Sequence, residues 1–197
     1  MFFEFWVIIG IIILFSFDTT LFLQSMISQP IISCQIIGFL VGNYELGLAV
    51  GGVTQVFYLA YLPIGGAKIP DPQIAPNLIV LFLASETATI ELVGLWLPVI
   101  ILISIGFMFV TSIERLISTW YMKYIPYRFL NIHLIISSSF LIHFIGFYYL
   151  VYHLYHFLNE SRSEIESYFL FDGTHAFYFV LLFSLGNLLI RFNKWRS

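Results

Sequence analysis

A chain of 197 residues that is 60% hydrophobic and 10% charged, with a net charge of −3 and a mean hydropathy of +0.95, has too few polar side chains to cover a set of water-soluble amphipathic helices. The composition points to an integral membrane protein, and the lack of any basic run before residue 115 argues against a nucleic-acid partner.

The first apolar stretch, Met1 to Phe17, carries Glu4 but no Lys or Arg and no small-residue cleavage site, so it is expected to stay as an uncleaved first span. Next, Leu21 to Val41 is interrupted by Gln24, Ser28, Gln29 and Pro30, and Leu46 to Leu62 is rich in glycine. Ile74 to Ala84 is half a span, because crossing about 30 Å of hydrocarbon takes roughly 20 residues of helix. Three later stretches meet that length: Leu92 to Ile113, Phe129 to Tyr152 and Phe169 to Ile190. The expected fold is therefore all-α, a polytopic membrane bundle of about six to seven hydrophobic segments, with broken or re-entrant chain around residues 42–84. Residues 1–197 form one membrane domain, with an irregular half at 1–91 and a half of regular transmembrane helices at 92–197.

Arg115, Lys123 and Arg128 crowd one short loop, and Arg191, Lys194 and Arg196 crowd the C-terminus. The loop at 159–168 sets Glu160, Glu164 and Glu166 against Arg162 alone. The positive-inside tendency makes the two basic regions cytoplasmic and the acidic loop external. The N-terminal spans stay unoriented, since Lys68 is the first cation in the chain. Tyr148 to Tyr155 reads as a helix end at the external interface, where a tyrosine ring is buried and its hydroxyl wet.

Residues 42–66 hold six of the 13 glycines and residues 63–76 four of the seven prolines. Backbone without helical partners survives at membrane depth only inside protein or beside a water-filled cavity, commonly at a solute site. Asp71 before Pro72, with Asn77 beyond, reads as the start of a short helix whose first N–H groups face the break. Two alternatives remain open on the residues alone: the segment around "GGAKIPDP" is a turn in water, and the glycines serve close helix packing.

Residues 30–77, "PIISCQIIGFLVGNYELGLAVGGVTQVFYLAYLPIGGAKIPDPQIAPN", carry an ordered pattern: Pro30, Gly38, Gly42 and Asn43, then Gly47, Gly51, Gly52 and Gln55, then Ile64, Gly65, Gly66 and Ala67, then Pro70 and Asp71. This pattern resembles the enzyme IIC subunit of the mannose/sorbose family of the bacterial phosphotransferase system. Weaker similarity continues over residues 97–115 and 131–144. The family's chains usually run well beyond 200 residues, so the closing spans are expected to be missing here. The resemblance implies a permease subunit of the bacterial inner membrane that pairs with a IID membrane subunit and forms the route for a hexose or related sugar. Separate cytoplasmic IIA and IIB proteins would carry the phosphate. The assembly is expected to be oligomeric, with the C-terminus in the cytoplasm.

A sugar is held by planar amides and carboxylates that pair with neighbouring hydroxyls, which singles out Gln55 and Asp71, then Asn43 and Asn77, with Asp18 and Gln24 of the first hairpin facing the same cavity. Satisfying exposed backbone at the break is the structural alternative for each. No catalytic residue, cofactor or metal is expected. His153 and His156 share a helix face without a third ligand, and "GGAK" lacks the spacing of a phosphate loop. A shortened, non-transporting membrane partner is the alternative function. A proton-coupled carrier is disfavoured because residues 92–113, 129–152 and 174–190 contain no carboxylate.

Overall fold

The computed structural model describes the backbone of residues 2–20, 29–60, 73–124, 129–168 and 173–196. Within these, it describes the side chains except at 2–4, 16–20, 114, 115, 117–124, 129–140, 142, 143, 168 and 191–196. The described residues form eight helices: α1 (Phe2–Thr20), α2 (Pro30–Val41), α3 (Tyr44–Ala60), α4 (Ile74–Phe82), α5 (Ile90–Tyr124), α6 (Phe129–Glu160), α7 (Arg162–Tyr168) and α8 (Gly173–Arg196). Among the described residues, two stretches are long and apolar enough to cross a bilayer, Ile90–Ile113 and Gly173–Ile190.

Local chemistry fixes where the helices begin and end. Pro30 opens α2, where its missing N–H costs nothing. Gly42 closes it at φ 82, a left-handed conformation that side-chain-bearing residues avoid. Asn43 then caps α3, its Oδ1 accepting the Leu46 N–H at 3.2 Å. Thr89 starts α5 in the same way through the Leu92 N–H at 3.1 Å. Ser161 separates α6 from α7 without a loop: its N–H still reaches the Phe157 carbonyl and its own carbonyl accepts from Ile165, both at 2.9 Å.

The contacts settle how the helices run. Phe5 and Trp6 of α1 meet Tyr148, Tyr152 and Tyr155 of α6, so the start of α1 lies beside the end of α6. Gly94 and Gly173 touch, which places the starts of α5 and α8 together. Asn43 bonds the 84–86 turn, and Arg162 bonds Glu86. One end of the bundle therefore collects the start of α1, the α2–α3 turn, the α4–α5 turn, the α6–α7 junction and the start of α8. Glu45, Glu86, Glu91, Glu160, Glu164 and Glu166 all belong to these elements, and this is called the acidic end below. The N-terminal spans, which charge alone leaves unoriented, are thus placed relative to the rest.

The core is centred on α4. All nine of its residues are buried, against α1, α2, α3, α5 and α6. At 1.5 Å per residue α4 is about 14 Å long and α2 about 18 Å, each well short of a 30 Å hydrocarbon layer. Tyr178, Phe179, Leu182, Phe183 and Leu189 of α8 are exposed apolar side chains, the lipid-facing pattern of a spanning helix.

Within the region expected to be broken, residues 44–60 form one uninterrupted helix. Its glycines serve approach to α2. A Cβ on Gly47 would fall on the Cys34 carbonyl, and one on Gly51 would lie 2.6 Å from the Pro30 carbonyl oxygen. On the facing helix, a Cβ on Gly38 would lie 2.8 Å from the Asn43 carbonyl oxygen. Gly52 differs from these, with nothing within 4 Å of where its Cβ would stand.

Candidate functional site

Two short helices, α2 and α4, start partway across the bundle and run side by side to its acidic end. Asn77, wholly buried on α4, links them: its Nδ2 donates to Ser33 Oγ of α2 at 2.9 Å and to the Gln73 carbonyl, one turn back, at 2.6 Å. Its Oδ1 accepts no hydrogen bond among the described residues. A buried carbonyl oxygen without a donor costs on the order of 1–3 kcal/mol, so this atom is poised for one.

Gln55 reaches the same region by register. Gly51 seats α3 against Pro30, and Gln55, four residues on, occupies the same helix face one turn beyond the start of α2. Its Oε1 is buried and has no hydrogen-bond partner among the described residues. Thr54 beside it is turned inward on its own helix, its hydroxyl donating to the Val50 carbonyl at 2.6 Å. Below Gln55, Tyr58 hydrogen-bonds Ser104 of α5 through their hydroxyls, fixing this half of α3 to a long helix.

The sequence-predicted residues separate into groups. Asn77 and Gln55 belong to this buried amide region. Asn43 stands at the acidic end with both ends of its amide engaged, Oδ1 on the Leu46 N–H and Nδ2 on the carbonyls of Ala84 at 3.2 Å and Glu86 at 2.7 Å. Asp18 lies on α1 with its side chain outside the described residues, as do Gln24, Asp71, Gly65, Gly66 and Pro70 entirely. Ser33 and Gln73 are buried members of the region that the sequence reading missed. Ser33 had a signal, lying one turn after the motif proline, but a serine among isoleucines reads as a small packing residue.

A groove of about 410 Å³ lies elsewhere. It is lined by Trp6 of α1 and by Phe144, Ile145, Tyr148, Tyr149, Tyr152 and His153 of α6, and by no residue of α2, α3 or α4. This aromatic surface has few groups to receive hydroxyls, whereas the buried amides are polar acceptors. His153 and His156 lie edge-on to Tyr149 and Tyr152, respectively, at this end of α6.

At the acidic end, Arg162 Nη2 donates to Glu86 Oε1 at 2.8 Å and its Nε to Glu166 Oε1 at 3.0 Å. Desolvation disfavours the guanidinium charge, but the hydrogen bonds and charges of Glu166 and Glu86 outweigh it, and the net direction of the Arg162 pKa is upward.

Residues 4–167 match the family model described as the PTS system sorbose-specific IIC component. The N-acetylgalactosamine permease IIC component 1 of Escherichia coli K12 is 31% identical over 93 residues, covering 46% of this chain and 34% of that protein. The sorbose-specific EIIC component of Lacticaseibacillus casei is 28% identical over 75 residues, 36% of this chain and 27% of that one. The mannose-specific EIIC component of Escherichia coli K12 is 32% identical over 47 residues, 24% and 18% of the two chains. The chain thus aligns with about a third or less of the length of these relatives. No solved structure matches it.

Proposed function

The chain belongs to the family of sorbose-specific IIC components of the phosphotransferase system, a membrane-integral family, and from that premise we propose that it is a permease subunit forming part of a sugar path across the bilayer. The observation that carries this reading is the pair of buried amide oxygens, Asn77 Oδ1 and Gln55 Oε1, near the inner starts of two half-length helices. Hydroxyl donors of a neutral sugar satisfy such oxygens in pairs. Asp71, Asp18 and Gln24 join this site in the proposal, with Asn43 as the residue that holds the α2–α3 turn in place.

The relatives' names speak for a hexose or a related sugar as the solute. A IID membrane subunit as the partner and IIA and IIB proteins as the phosphate carriers complete the proposal. Transport proceeds by alternating access, the bound sugar being exposed first to one side and then to the other. The basic stretch at the end of α5 and the basic C-terminus face the cytoplasm, and the acidic end faces outward. A C-terminal reporter that is active only in the cytoplasm tests this orientation.

Uptake with phosphorylation, in cells expressing the chain together with a IID subunit, tests the function. Gln55→Ala, Asn77→Ala and Asp71→Asn are each expected to reduce uptake while leaving the chain in the membrane. Unchanged uptake in all three sinks the site. A folded chain that supports no uptake beside IID favours the reading as a non-transporting membrane partner.

A further inference from the structure

Three segments distant in sequence are tied together at the acidic end by side chains alone. Asn43, on the α2–α3 turn, bonds the Ala84 and Glu86 carbonyls of the α4–α5 turn. Glu86 in turn binds Arg162, which starts α7 and also holds Glu166. The guanidinium carbon stands 5.6 Å from the centre of the Phe82 ring. Phe82 is edge-on to Trp96, with centroids 4.9 Å apart, and to Tyr155 at 6.2 Å. Behind the ion pairs therefore lies a dry layer of Phe82 and Trp96, and Val151 and Leu158 of α6, also buried, belong to the same core.

The closure and the layer behind it are unlike in kind. The side chains of Arg162, Glu86 and Glu166 are 30%, 37% and 39% exposed, so water already competes for them, and pairs of this sort contribute about 0–1 kcal/mol each. Such a bridge is easily exchanged for hydration. Trp96 is wholly buried, yet its indole N–H has no acceptor among the described residues. A buried donor left waiting behind a weak polar closure fits a crevice that water or a solute enters at times.

We infer that Arg162 is a latch: while it grips Glu86 the α6–α7 junction seals the α4–α5 turn, and its release parts the two and opens the Phe82–Trp96–Leu158 crevice at the acidic end. This opening does not depend on which solute the chain carries, or on whether it carries one.

Thiol labelling of the full-length chain in lipid nanodiscs tests the latch. Leu158→Cys places a thiol in the crevice, and native Cys34, buried between α2 and α3, serves as an internal control. With a charged maleimide, Arg162→Gln is expected to raise the labelling rate at residue 158 about three- to tenfold, the range that loss of two half-exposed ion pairs allows. Glu86→Gln should raise it too, with little further rise in the double variant, and Arg162→Lys should fall between. An unchanged rate in Arg162→Gln overturns the inference. So does parallel labelling of Cys34, which means general loosening, or additive effects of the two glutamine substitutions. If Leu158→Cys does not fold, Val151→Cys reports on the same crevice from two turns deeper on α6. Labelling needs no uptake, so failure of the latch is distinguishable from failure of the permease assignment.

Discussion

The α2–α3 hairpin and the α6–α7 junction hold their neighbours by opposite means. In the hairpin, backbone lies on backbone: removing the side chains at Gly38, Gly47 and Gly51 lets two helices approach until carbonyl oxygens occupy the space a Cβ would need. At the junction, long charged side chains span a wider gap and remain partly in water. A contact without side chains has no alternative rotamers and no water to exchange, so it moves as a unit. Charged arms that are already wet let go at small cost. Rigid and releasable elements of the same chain are thus separated by their residue types.

The largest effect should come from breaking the rigid side of this comparison. Gly47→Val drives a side chain into the Cys34 carbonyl, and we expect little monodisperse protein on size exclusion in detergent, a loss on the order of 3 kcal/mol or more. Next come Gly94→Ala and Gly173→Ala, each placing a Cβ on backbone of the other helix, with losses of about 2–3 kcal/mol read as a lower midpoint of thermal unfolding. Asn77→Ala removes the tie between α4 and α2 and should cost about 1–3 kcal/mol, and a cycle with Ser33→Ala should show a coupling of about 1 kcal/mol. On the releasable side, Arg162→Gln should change global stability by less than about 1 kcal/mol, with the wild-type contribution shrinking as salt is raised. Gly52→Ala sharpens the comparison from the other end. Its Cβ meets open space, so the helix propensity of alanine should leave stability unchanged or raise it by up to about 1 kcal/mol.

Much of the framework was legible in the chain itself. Apolar length located α5, α6 and α8, and the Asn77 region was expected to be a short helix, whereas Pro30 was read as an interruption of the 21–41 stretch and turned out to open α2. The order of glycines was legible as a motif, but their role needed coordinates, because Gly51 and Gly52 are neighbours in sequence and face different surroundings. Asn43 shows the same limit: an amide at a motif position reads equally well as a ligand or a cap, and only the 41- and 43-residue jumps to Ala84 and Glu86 tell which bonds it makes. The Glu86–Arg162 pair spans 76 residues, and no local spacing rule reaches that far. Its one sequence signal was that Arg162 stands alone among glutamates. Gly94 and Gly173 lie outside the motif, and a single glycine in an apolar span is indistinguishable from a chance small residue.

The touch between Gly94 and Gly173 has a mechanical consequence. Carbonyls wedged against the opposite backbone forbid α8 from screwing or sliding along α5 at that level, so the freedom left to it is a tilt about the contact. With the rest of this 24-residue helix beyond the fulcrum, about 34 Å of lever, a swing of roughly 10° carries the arginine-bearing tip about 6 Å sideways. Small angular play at one margin of the bilayer thereby becomes a displacement large enough for another protein to sense at the opposite margin.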